Sequence, residues 1–92
     1  MGIPPRAARR DENEPEIVEM LRRLNASVQP LSIKGIPDLL VGYDHVNYLI
    51  EVKTAKGKLT PDQIDIHSTW KGQIGIARTV QEALAILGIK ST

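Results

Sequence analysis

The sequence of 92 residues contains no cysteine, and this absence excludes disulfide bonds, thiolate zinc sites and a cysteine nucleophile. It also contains no Phe and only one Trp and two Tyr, so a core must be built from Ile, Leu, Val and Ala. No apolar run approaches the roughly 20 residues that cross a membrane, and the polar, basic N-terminus is unlike a signal peptide. We therefore expect a cytoplasmic protein without a membrane segment.

Neither sign of charge dominates, because the net charge is only +1. The chain is long enough for one domain with a small core. Residues 1–10 contain two prolines and three arginines without periodicity, which predicts a flexible basic arm ahead of a single domain at residues 11–92. Further basic residues are candidates for contacts with nucleic-acid phosphates, and a mixed solvated surface is the alternative interpretation: Arg22, Arg23, Lys56 and Lys58.

Three helices are predicted from periodicity and capping signals. The first has apolar residues at three- and four-residue spacing from Ile17 to Leu24, with Asn13 as the expected N-cap and Asn25 as the expected stop. The second begins with a capping box, Thr60 with Gln63, and runs to about Trp70. The third begins with a second capping box, Thr79 with Glu82, spans about 80–87 and ends at Gly88.

Strands are predicted at residues 26–31, 38–43, 47–53 and 73–77. The second and third form a hairpin around a loop at 44–47. The resulting order, αβββαβα, predicts an α/β fold in which a small mixed sheet is flanked by helices.

The predicted hairpin brings three charged side chains together. If the loop pairs Tyr43 with Tyr48, the same register places Asp38 opposite Lys53, and Glu51 shares their face because side chains two apart on a strand do so. Two carboxylates at the end of an apolar run repel each other, so a hard cation such as Mg²⁺ or Mn²⁺ is expected between them. The alternative interpretation is that Asp38 merely begins a strand and that Glu51 and Lys53 form an exposed charge pair on one face.

These residues also carry a family resemblance. Pro37-Asp38 followed by Glu51-Val52-Lys53 has the form of the PD-(D/E)XK nuclease signature. Together with the L-T-x-x-Q segment that ends at Gln63 and with Trp70, the sequence from about Asp11 to Leu87 resembles the VRR-NUC family, especially its small stand-alone phage and bacterial members. The resemblance implies a restriction-endonuclease-like core.

The resemblance also implies roles for individual residues. Asp38 and Glu51 correspond to metal-binding carboxylates, with the carbonyl of Val52 completing the ligand set, and Lys53 corresponds to the catalytic lysine. Gln63 matches a glutamine that assists the site, although its capping role is a structural alternative. The family also has an acidic residue in the first helix, which corresponds to Glu14 with Glu16 as the alternative, although either glutamate could simply favour the helix N-terminus. Position along the chain predicts the other roles: His67 is a packed or solvated histidine, with a metal ligand or general base as the alternative, Trp70 is a core anchor, His45 is an exposed loop residue, and Gly35 is required by backbone geometry.

The function that follows is an Mg²⁺- or Mn²⁺-dependent endonuclease acting on branched DNA, of the Holliday-junction-resolving type, in a bacterial or phage-infected cell. Similar stand-alone domains act as homodimers, and a dimer would supplement a small core. A nicking or flap nuclease of phage replication or repair is one alternative. A DNA-binding module that has lost catalysis is another.

Overall fold

The helices and strands follow the predicted order in the computed structural model, which describes residues 11–90. The elements are α1 (Glu14–Arg23), β1 (Ser27–Pro30), β2 (Leu39–Tyr43), β3 (Val46–Val52), α2 (Pro61–Thr69), β4 (Gln73–Ala77) and α3 (Val80–Ile86). The predicted basic arm at residues 1–10 lies outside the described part. Within residues 11–90, no helix has the length and apolar character needed to cross a bilayer.

The strands form one mixed sheet in the order β1-β2-β3-β4. Strands β1 and β2 pair antiparallel, as do β2 and β3, whereas β3 and β4 pair parallel. A parallel pair needs a crossover connection, which α2 supplies between β3 and β4. The predicted α/β class is therefore confirmed.

The core lies on one face of this sheet, between the strands and helices α1 and α3. Its strand residues alternate along each strand, as a half-buried sheet requires. They pack against apolar residues of the two helices, and the buried members are Ile17, Leu21, Val28, Leu39, Val41, Ile50, Val52, Ala77, Ala83 and Leu84. The alternation sends Glu51 to the opposite face of the sheet.

The hairpin between β2 and β3 is tighter than predicted. Asp44 and His45 have φ values of 52° and 65°, the two positive values that a two-residue hairpin turn of type I′ requires. Tyr43 therefore pairs with Val46, and the predicted register, with Asp38 opposite Lys53, is wrong by two residues. Continued by one position, the observed register places Asp38 opposite Glu51. Because side chains alternate with a period of two, this shift leaves every residue on its predicted face.

Several helix ends match their sequence signals. Asn25 has a φ of 71° after α1 and Gly88 has a φ of 78° after α3, so both supply the left-handed residue that commonly ends a helix. The Thr60 capping box is complete, because its hydroxyl accepts from the Gln63 N–H at 3.2 Å and the Gln63 Oε1 accepts from the Thr60 N–H at 2.9 Å. Gly35 has a φ of 81°, which confirms its predicted role in backbone geometry.

Two other helix N-termini begin at the predicted N-cap residue but lack part of the predicted capping contact. Asn13 occupies the N-cap position of α1, but its side chain makes no capping hydrogen bond. The Thr79 hydroxyl accepts from the Glu82 N–H, yet the Glu82 carboxylate reaches one residue further and accepts from the Arg78 N–H at 2.7 Å. The second capping box is therefore only half formed.

Trp70 is not a core anchor, because 46% of its surface is exposed. The reason lies in helix α2, none of whose residues is buried. Trp70 is the C-cap of this helix and shares its peripheral position on the sheet.

The close packing of α3 on β4 yields a first prediction. A Cβ added at Gly75 would lie 2.7 Å from Ile86 Cδ1 and 2.9 Å from its Cγ1. We expect Gly75→Ala to lower the free energy of unfolding by about 1–3 kcal/mol, because Ile86 would have to give up its present packing on β4 to make room. Urea unfolding measures this change.

Gly42→Ala in β2 is the matched control, since its added Cβ would meet Asn47 Oδ1 at 3.4 Å, an ordinary contact. We expect this control to leave stability unchanged or to raise it slightly, because Gly in a strand carries an entropic cost. Equal losses in both variants would contradict the packing explanation.

Candidate active site

The three charged residues that the sequence singled out lie at one end of the β2–β3 hairpin. Asp38 directly precedes β2, Glu51 is the second-last residue of β3, and Lys53 follows its end. The Lys53 Nζ lies 3.9 Å from Glu51 Oε2, and only 15% of the Lys53 side chain and 3% of the Glu51 side chain are exposed. The structure therefore brings these side chains together on one face, as predicted.

Asp38 is held against the end of β3. Its Oδ2 accepts the backbone N–H of Val52 at 2.8 Å, which replaces the ladder hydrogen bond that a longer β2 would supply. In an extended strand the N–H and C=O of one residue point to the same side, so the Val52 carbonyl is directed toward β2 as well. The Val52 side chain is buried in the core, which leaves its backbone as the part that faces the site.

Glu51 is the most enclosed charged group of this site, with 2% of its surface exposed. Its Oε2 accepts from the Gln63 side-chain amide at 3.1 Å, whereas its buried Oε1 has no hydrogen-bond partner. Gln63 therefore performs both roles that the sequence posed as alternatives. Its Oε1 caps α2, and its Nε2 contacts Glu51.

This environment raises the pKa of Glu51 from 4.5 to about 8. Burial is the largest cause, followed by the charge of Asp38 and by a hydrogen bond between the protonated Glu51 carboxyl and Asp38. Lys53 opposes the shift, but not enough to cancel it. Glu51 thus holds a proton in a pH range where an exposed glutamate would have lost it.

Asp11 is a further member of this electrostatic group, and the sequence analysis did not single it out. Burial and then Asp38 raise the pKa of Asp11, Lys53 lowers it, and Asp11 in turn contributes to the raised pKa of Glu51. Its charge suits a helix N-terminus, and no sequence pattern separates that local role from a long-range one.

Glu14 and Glu16, the candidate acidic residues of the first helix, differ in burial. Glu14 is 7% exposed, whereas Glu16 is exposed to solvent. The charges that shift the pKa of Glu51 come from Asp38, Lys53 and Asp11, and Glu14 is not among them. Burial favours Glu14 over Glu16, and a role of Glu14 in the site stays a prediction.

Lys56 and Lys58 lie beside the site, exposed in the segment that joins Lys53 to α2. Arg78 orders this segment, since its Nη1 donates to the carbonyls of Thr54 at 2.7 Å and Gly57 at 2.6 Å. No sequence pattern singles out Arg78, because its partners are backbone atoms more than 20 positions away.

Arg22 and Arg23 lie in the last turn of α1, about 12 Å along the helix axis from its first turn. Arg22 donates to the Val28 carbonyl at 2.8 Å, and Arg23 lies 3.4 Å from Glu19 on the surface. The structure does not bring these two arginines to the carboxylates, and their DNA contact stays a prediction.

The two histidines differ in environment. His45 is exposed in the hairpin turn, as predicted. His67 is partly buried, its Nε2 is enclosed without a hydrogen-bond partner, and burial lowers its pKa. His67 is therefore a packed histidine.

The residues present fit a hard divalent cation. Glu51 Oε1 is a buried oxygen without a donor, and the pKa of Glu51 is raised by burial and then by the charge of Asp38, both of which a bound cation would offset. Residues 11–90 contain no group of three or more His, Asp or Glu side chains suited to hold a metal, so the ligand set is sparse. Sparse oxygen sets suit Mg²⁺, which keeps several of its waters.

A comparison with solved structures decides the fold. A structure described as a VRR_NUC domain aligns with a TM-score of 0.69 and 23% identity, covering 82% of this chain and 89% of that chain. This chain has the fold of a VRR_NUC domain. No protein-family model and no curated protein matches the sequence. The VRR_NUC match confirms the predicted restriction-endonuclease-like fold with its αβββαβα core.

Burial of Glu51 in this VRR_NUC fold predicts a pH dependence of stability. The folded protein keeps a proton that the unfolded chain releases near pH 4.5, so the free energy of unfolding falls as the pH rises from there to about 8. We expect a fall of a few kcal/mol, at about 1.4 kcal/mol per pKa unit. Urea unfolding in EDTA across this range measures it.

Glu51→Gln should abolish this fall and should be more stable than the unchanged protein at the alkaline end. Glu12→Gln, which removes an exposed carboxylate, is the control and should retain the fall. A Glu51→Gln protein with the original pH dependence would show that another group is responsible.

Because Gln63 caps α2 with its Oε1 and donates to Glu51 with its Nε2, a single substitution can remove the second contact and keep the first. Gln63→Glu keeps an acceptor for the Thr60 N–H, as capping boxes with Glu do, but replaces the donor to Glu51 with a carboxylate. We expect the free energy of unfolding in EDTA to fall by about 1–3 kcal/mol near pH 9, and by less near pH 5, where the carboxyls share protons.

Gln81→Glu makes the same chemical change at an exposed position in the first turn of α3 and should not destabilise the protein. A loss of equal size at both pH values for Gln63→Glu would instead indicate damage to helix α2.

Proposed function

We propose that this protein is a metal-dependent DNA endonuclease that hydrolyses phosphodiester bonds. The observation that carries the proposal is the cluster of Asp38, Glu51 and Lys53, in which a carboxyl that is 2% exposed is kept beside a second carboxyl and an ammonium group. Such a grouping is costly unless a ligand uses it. Its position in a fold shared with a VRR_NUC domain supports nuclease chemistry.

The residues divide the chemistry among them. Asp38, Glu51 and the Val52 carbonyl would hold Mg²⁺ or Mn²⁺, which polarises a phosphoryl oxygen and lowers the pKa of a water molecule when bound. Lys53 stabilises the negative charge that grows on the phosphate in the transition state. Gln63 keeps the Glu51 carboxylate oriented through its amide.

We further propose branched DNA as the substrate, cut by a homodimer of the Holliday-junction-resolving type in the cytoplasm of a bacterial or phage-infected cell. Lys56 and Lys58, exposed beside the site, supply phosphate contacts that carry no sequence information. The small core supports a dimer, whose interface would bury further apolar surface.

A DNA-binding module that has lost catalysis is disfavoured by the state of Glu51. A site without a ligand gains nothing from a buried carboxyl whose pKa is raised to about 8. A nicking or flap nuclease keeps the same site and differs only in its substrate.

Cleavage of labelled four-way junction, flap and linear duplex DNA tests these proposals. With Mg²⁺ or Mn²⁺ we expect cutting of the junction before the duplex, and no cutting in EDTA. Lys53→Ala should lower kcat by about 100-fold or more, because it removes charge stabilisation from the transition state.

Lys71→Ala, which removes an exposed lysine after helix α2, is the matched control and should cut normally. Preference for a flap would select the nicking or flap alternative. Binding without cutting under both metals would favour the lapsed module.

A further inference from the structure

The carboxyl ends of β3 and β4 are joined by a side chain from outside the sheet. Their pairing ends at Val52 with Ala77, followed by a hydrogen bond from the Lys53 N–H to the Ala77 carbonyl at 3.1 Å. Beyond this point Asn13 bridges the strand ends. Its Nδ2 donates to the Lys53 carbonyl at 3.1 Å and to the Arg78 carbonyl at 3.0 Å.

The orientation of the Asn13 amide is fixed by these partners, because two carbonyl oxygens can only accept and therefore require the NH₂ end. The Oδ1 end is buried and has no hydrogen-bond partner. Asn13 also has helical dihedral angles, φ −86° and ψ −4°, instead of the extended angles of a capping residue. A residue type suited to cap α1 thus serves the sheet instead.

The bridge acts on the residue that carries the ammonium group of the site. Both backbone polar groups of Lys53 are bound, its N–H by Ala77 and its carbonyl by Asn13. The N–H of Lys53 makes the last hydrogen bond of the β3–β4 ladder, and the Asn13 amide binds its carbonyl just beyond that ladder, so these two bonds together orient the Lys53 backbone. That orientation sets the direction from which Nζ approaches Glu51, where it lies at 3.9 Å.

We infer, on the basis of the proposed nuclease activity, that Asn13 is a positioning residue for Lys53. Its amide binds the carbonyls of Lys53 and Arg78 and none of the site's carboxylates. It holds the Lys53 backbone so that the ammonium group is aimed at the site, and it links the start of α1 to that function. A purely structural tie between helix and sheet would affect stability without a specific effect on the chemical step.

Asn13→Ser tests the inference. Serine is a favoured N-cap, so α1 should still begin at the same place, but its side chain is too short to reach two strand ends. At a temperature where the variant is fully folded, we expect kcat to fall about 10- to 100-fold while KM for DNA stays within about twofold. Asn47→Ser, the same change at an exposed position near the opposite end of β3, is the control and should leave both constants unchanged.

Two outcomes would overturn the inference. One is a folded Asn13→Ser protein with the original kcat, whatever its stability. The other is an additional fall when Asn13→Ser is combined with Lys53→Ala, because a residue that acts through Lys53 has nothing left to position once the ammonium group is gone.

A spectroscopic measurement separates failure of this inference from failure of the proposed function. In protein labelled with isotopic lysine, the Cε–Hε signal of Lys53, assigned through Lys53→Arg, should shift in Asn13→Ser and not in Asn47→Ser. If the protein with the original sequence cuts no DNA, the proposed nuclease activity is refuted, but the position of the Lys53 signal can still be compared between the variants. An unmoved Lys53 signal would refute the positioning role even in an active enzyme.

Discussion

The arrangement of this domain depends on keeping the Glu51 carboxyl buried at the end of an apolar strand. Burial raises its pKa to about 8, so the carboxyl resists ionisation, and a nearby Asp38 adds to the cost. The neighbouring groups reduce that cost in different ways. Lys53 supplies an opposite charge, Gln63 donates a hydrogen bond, and a proton can be shared with Asp38. None of them supplies a hydrogen-bond partner to Glu51 Oε1, the oxygen that a bound cation would contact.

Support for the site comes from the ends of the surrounding elements. Gln63 belongs to the first turn of α2, Asn13 to the start of α1, and Arg78 follows the end of β4. Each uses an amide or guanidinium group with several donors or acceptors, which lets one side chain bind backbone and neighbouring groups together. The consequence is that folding of the helices and order in the site are coupled. A change that loosens α1 or α2 also alters the surroundings of Lys53 or Glu51.

Local signals and alternation predicted most of the fold and the centre of the site. The order of elements, the Thr60 cap and the shared face of Asp38, Glu51 and Lys53 all follow from short-range patterns. The register was wrong by two residues and still placed those side chains on one face, because an even shift preserves the face. What failed depends on tertiary structure. Asn13 has the right type and place for a cap, and only the folded chain shows that its amide reaches residues 40 and 65 positions away.

The nature of these supports also explains how the fold can tolerate a changed sequence. Asn13 binds two backbone carbonyls, Arg78 binds two more, and Asp38 accepts from a backbone N–H. Backbone partners survive substitution of their own side chains, so a position that supplies only a carbonyl or an N–H is weakly constrained. Contacts to backbone atoms are therefore compatible with a fold that is shared at 23% sequence identity. The side chains that the site requires are the donors and acceptors themselves: Asp38 and Asn13 bind backbone atoms, and Glu51 interacts with the side chains of Gln63 and Lys53.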